Sequence, residues 1–96
     1  MLVKLPFKFY VLRCIAEQTA PCSYEDLLPL AQRAYPGERQ VSGKTLLTHM
    51  EAFCAVGATE VADAFEENGD IVMKYHITDY GKSLLKYIKN KGEETT

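Results

Sequence analysis

The stretch Val41 to Gly57, VSGKTLLTHMEAFCAVG, carries the chemistry of both its ends, and it restricts what the chain can fold into more than any other segment. The Ser42 hydroxyl can accept from a free backbone N–H of a first helical turn, and Gly57 can take the left-handed conformation that stops a helix. Val41 and Leu46 occupy the two positions of a hydrophobic staple. Between these signals Leu46, Leu47, Met50, Phe53 and Cys54 recur at helical spacing and mark one buried face. The opposite face carries Lys44, Thr45, Thr48, Glu51, Ala52 and Ala55, side chains short and polar enough to lie against another surface.

Two further helices are expected before this one. Pro6 suits a first helical turn, where its missing N–H costs nothing. From Phe7 to Gln18, Phe7, Tyr10, Val11, Cys14 and Ile15 form one apolar stripe, and Phe9, Leu12 and Ala16 form a second. A helix apolar around most of its circumference is covered on two sides. Pro21 breaks the pattern by disfavouring helix at the residue before it. SYEDLLPLAQRAYPG, residues 23–37, then reads as a helix with Ser23 as N-cap, Glu25 and Asp26 in the first turn, and Cys22 and Leu27 as the staple. Asp26 is shorter than the Glu or Gln usual at the capping-box position, which argues against the reciprocal bond. Pro29 inside the helix predicts a kink or a late start. Pro36 and Gly37 end the segment, and PGERQ turns into the next helix.

After Gly57 the period changes from helical to alternating. ATEVADAF and DIVMKYHI flank EENG, and Asn68 with Gly69 is a strong hairpin signal because both residues tolerate positive φ. In the second strand Ile71, Met73, Tyr75 and Ile77 alternate with Val72, Lys74 and His76, which predicts one buried and one wetter face. Thr78 caps a last helix, DYGKSLLKYIKN, with Asp79 at its positive end. Residues 1–91 read as a single domain, and residues 92–96 as a polar tail expected to be disordered.

The chain's 96 residues suffice for one core, and its hydrophobic share of 47% and charged share of 25% are those of an ordinary soluble protein. A net charge of −2 argues against gripping nucleic acid by bulk electrostatics. Cys14, Cys22 and Cys54 are an odd set without paired spacing, so they describe no disulfide framework; Cys14 and Cys54, on apolar helix faces, read as buried thiols of a reducing compartment. The leader MLVKLPFKFYVL is interrupted by Lys4, Pro6 and Lys8 and is too short to span a bilayer, which points to a cytoplasmic protein without a membrane partner. His49 and His76 have no zinc-like spacing to each other or to a cysteine, so no metal is expected. No nucleophile signature, phosphate loop or paired carboxylates mark an enzyme, and no cofactor is implied.

The resulting class is α+β, mostly α, and the order of three helices, hairpin and helix resembles a winged helix-turn-helix. HITDYGKSLL, from His76 to Leu85, also resembles the exit from the wing in MarR-like and PadR-like regulators, where an apolar strand end meets Thr, then Gly three residues on, then a Leu pair. Gly81 fits this physically, since a residue without Cβ permits close backbone approach. The resemblance implies a dimeric transcription factor that places its third helix in the major groove of double-stranded DNA. Its base-reading positions would be Lys44, Thr45 and Thr48, with His49 on the flank and Arg39 and Gln40 on the backbone. The wing departs from that pattern: its tip, Glu66, Glu67, Asn68, Gly69 and Asp70, would be repelled by phosphate. Leu2, Val3, Leu5, Phe9, Tyr80, Leu84 and Tyr87 exceed what a small core needs and are expected at a homodimer interface. The alternative is a winged-helix adaptor that binds a protein partner and does not read DNA.

Overall fold

Capping chemistry sets where the helices of the chain begin. In a computed structural model, which describes residues 6–39 and 41–94 with the last six by backbone alone, the elements are α1 (Phe7–Glu17), α2 (Tyr24–Ala34), α3 (Gly43–Ala55), β1 (Thr59–Glu67), β2 (Asp70–Ile77) and α4 (Asp79–Glu94). The class is α+β and mostly helical, four helices with one two-stranded antiparallel hairpin. Among the described residues, no helix is long and apolar enough to cross a membrane.

Ser42 caps α3 as expected, its Oγ accepting from the Thr45 N–H at 3.2 Å. At α2 the expectation fails in one respect. The short Asp26 carboxylate does reach back, accepting the Ser23 backbone N–H at 2.9 Å, so the reciprocal half of the capping box is made. Pro29 does not delay α2, which begins at Tyr24; the ring is exposed, and water can reach the Glu25 carbonyl that loses its helical donor. Pro6 stands just outside α1, with its carbonyl accepting from Phe9 and Tyr10.

α1 is covered on two sides. Its first stripe, Phe7, Val11, Cys14 and Ile15, packs with Leu27 and Ala31 of α2, Leu46 and Met50 of α3, and Tyr75 of β2. Leu12, on the other side, meets Phe53 and Ala58, with Phe9, Leu84 and Leu85 against them. The Tyr10 hydroxyl donates to the Leu30 carbonyl at 3.2 Å, a further tie between α1 and α2.

The connection from α1 to α2 pins the hairpin. Cys22 and Tyr75 exchange both backbone hydrogen bonds, at 2.9 and 2.8 Å, as a single antiparallel bridge. At the hairpin base, Thr78 Oγ1 donates to the carbonyls of Gly57 and Ala58 and accepts the Gly81 N–H at 3.1 Å, so one hydroxyl joins the end of α3 to the start of α4. Gly81 lies so close to Ala58 that a Cβ there would collide with the Ala58 carbonyl oxygen and sit 2.9 Å from Ile77 Cγ1.

The hairpin turns at Asn68 and Gly69, with φ of 53° and 86°, which is the double positive φ of a two-residue turn between Glu67 and Asp70. A bulge between Val61 and Asp63 shifts the register, so Thr59, Val61, Ala64 and Glu66 share a face with Ile77, Tyr75, Met73 and Ile71. The expected alternation in β2 holds only near the base. Tyr75 is 3% exposed, but Ile71 on the same face is 63% exposed, so the burial of that face stops short of the turn. Val72, expected on the wetter face, is buried; it pairs with Phe65, whose ring the Lys74 ammonium covers.

Candidate nucleic-acid interface

α3 is fixed from its inner side. Leu46, Met50 and Phe53 are buried, and packing against α1 and α2 leaves the opposite side facing outward. Lys44, Thr48, Glu51, Ala52 and Ala55 are all exposed there. The Thr48 hydroxyl donates to the Lys44 carbonyl at 2.9 Å, one turn back. What it keeps for a partner is an acceptor lone pair and a methyl group.

The other expected contact residues are placed differently. Thr45 is half-buried and belongs to the cap, with its Oγ1 accepting from Ser42 Oγ at 3.0 Å. His49 is half-buried with its ring edge-on to Phe7 at 5.8 Å between centroids. Burial, and then the nearby Lys8 ammonium, hold its imidazole below the usual histidine range. Arg39 is exposed in the turn before α3, and Gln40 lies outside the described residues.

The hairpin contributes an excess of negative charge. Glu60, Asp63, Glu66, Glu67 and Asp70 are exposed along it, against Lys74 alone. His76 and Glu60, paired across the strands, meet at 2.5 Å. At the tip, the Glu67 carboxyl hydrogen-bonds that of Glu25 on α2, and this contact raises the Glu25 pKa. The acidic region therefore continues from the hairpin onto the start of α2, while the outward side of α3 carries one lysine and one glutamate.

Of the apolar residues expected at an interface, Phe9 and Leu84 pack on the second core cluster, whereas Tyr80 and Tyr87 are exposed. Leu2, Val3 and Leu5 lie outside the described residues. The bulge at Ala62 and the packing of His49 on Phe7 leave no signal in the sequence, since each depends on a residue distant in the chain. Among the described residues, no three His, Cys, Asp or Glu side chains come together as a metal site. Comparison with known proteins finds no family model that matches this chain and no curated protein with significant similarity to it.

Proposed function

We propose that the chain is a winged-helix regulator that reads double-stranded DNA with α3, the hairpin being the wing. The observation that carries this reading is the outward side of α3, where exposed Lys44, Thr48, Ala52 and Ala55 back onto a sealed inner face. Short side chains let a helix backbone approach a groove floor, and Lys44, the second residue of the helix, stands where groove-reading helices contact base edges. Thr48 offers a methyl for thymine and an acceptor for an amino group. Three free thiols suit a cytoplasmic setting. Like the resemblance, the reading includes a homodimer, because two copies of α3 set one turn of DNA apart would recognise a two-fold site.

Affinity in this reading comes from α3 and Arg39, since the wing repels phosphate. A randomised-site selection at low salt should return an enriched sequence. Replacing Lys44 with Ala should then cost about 1–3 kcal/mol at that site and flatten the dependence of binding on salt. A selection that enriches nothing removes the reading. The five carboxylates of the hairpin favour a second one, a winged-helix module that binds a protein and has no affinity for DNA even at low salt.

A further inference from the structure

We propose that the groove between α1 and α2 is a binding site for a small zwitterion, an α-amino acid with an apolar side chain. The groove encloses about 260 Å³, just under the range of drug-sized pockets, so it suits a ligand of amino-acid size and not a nucleotide. Its floor comes from two pairs of residues one turn apart, Tyr10 and Cys14 on α1 and Leu30 and Ala34 on α2. The Tyr10 hydroxyl proton is spent on the Leu30 carbonyl, so the tyrosine offers the groove its ring, and the floor is mainly apolar.

The rim identifies the two ends of the ligand. Arg13 and Glu17 on α1 and Arg33 on α2 line the groove, and all three are exposed. Among the described residues none of them has an ion-pair partner. Arg13 and Glu17 do stand one turn apart, but in the order less favourable for pairing along a helix. The Arg13 guanidinium lies instead over the Tyr10 ring, 5.2 Å from its centroid, which holds it at the groove. Arg33 reaches the groove from the last turn of α2. Guanidiniums from both helices suit a carboxylate, whose two oxygens match their planar forks. Those two alone would favour a plain anion, and Glu17 adds the second requirement. It is the last residue of α1, where the helix dipole opposes a carboxylate and no basic side chain offsets it. An ammonium on the same ligand supplies that missing partner, and the apolar floor takes the side chain. No residue of α3 takes part, so the site stands or falls independently of DNA reading.

The full chain should be titrated in turn with leucine, isoleucine, valine, methionine and phenylalanine, and followed by its amide and arginine side-chain NMR shifts. At least one of these should bind saturably, with the shifts centred on Arg13, Leu30 and Arg33. Removing either charge of that ligand, by using its des-amino acid or its decarboxylated amine, should weaken binding by about tenfold. Arg13→Gln and Glu17→Gln should each weaken the amino acid to a similar degree with circular dichroism unchanged, while Glu17→Gln leaves the des-amino acid bound no worse. Ala34→Phe, at an exposed position, should fill the groove and abolish binding. No saturable shift with any of these amino acids at about 10 mM overturns the proposal. So does a des-amino acid that binds as tightly as the amino acid, which makes the groove a plain anion site. Binding indifferent to these substitutions also overturns it, because the ligand then sits elsewhere.

Discussion

The base and the tip of the hairpin are built from the same two strands, yet they have opposite tolerances. At the base, Thr78 links two carbonyls at the end of α3 to the first turn of α4, and Gly81 sits against Ala58 with no room for a methyl group. At the tip, Ile71 and Met73 continue the face of Tyr75 into solvent. An alternating sequence specifies which side of a strand a residue is on, and the end of the core beneath it decides whether that side is buried.

The largest effect is expected at the base. In Gly81→Val the side chain meets a backbone carbonyl that is itself held by Thr78, so neither partner can move cheaply. A loss of about 3 kcal/mol or more should appear in urea unfolding. Within β2, Tyr75→Ala should cost about 3 kcal/mol, while Ile71→Ala, measured on the monomer at low protein concentration, should stay within about 0.5 kcal/mol. Equal losses at the two positions would mean that the distal face is covered within the chain, and the contrast between base and tip would fail.

How much of this was legible in advance follows the range of the interaction. The caps at Ser42 and Thr78 and the turn at Asn68 and Gly69 are local chemistry, and the sequence states them; the close approach at Gly81 is expected only through the resemblance, because its partner, Ala58, is distant in the chain. Side-chain length alone argues against the Asp26 bond, but the backbone geometry at the start of α2 brings the Ser23 N–H within its reach. The exposed tip, the buried Val72 and the diversion of His49 onto Phe7 depend on where distant elements end, which periodicity does not encode. For the candidate site, the outward side of α3 was readable from spacing. Helical spacing alone puts Thr45 on the outward side, whereas the cap that recruits it is itself a local motif.

The base also carries a defect. Thr59 Oγ1, at the first residue of β1, is buried and has no hydrogen-bond partner among the described residues. A buried hydroxyl that exchanges water for nothing costs its desolvation, and valine has the same shape without it. Thr59→Val should therefore stabilise the chain by about 1 kcal/mol, read as a higher urea midpoint with unchanged slope. A loss instead would show that the hydroxyl is satisfied in solution.

The smallest effects separate the helical core from the tip by the sign of their response to acid. His49, packed on Phe7, titrates below its ordinary value of 6.5 because burial, then Lys8, disfavours the imidazolium. The unfolded chain binds that proton more readily, so the contribution is complete above 6.5 and lost as pH falls through the folded value. Glu25 has the opposite shift. Its contact with Glu67 raises it above 4.5, so the folded chain holds the proton better; this contribution is complete below 4.5 and lost as pH rises through the raised value. Acidification should first loosen α3 on α1 and then tighten the hairpin tip on α2. In urea midpoints measured against pH, His49→Gln should flatten the slope below neutrality and leave the acid limb alone. Glu67→Gln should weaken the acid limb and leave the upper slope unchanged. Both changes are small, because the two sites keep much of their solvent screening. The comparison breaks if one substitution alters both limbs, since the core and the tip would then unfold as one coupled unit at every pH.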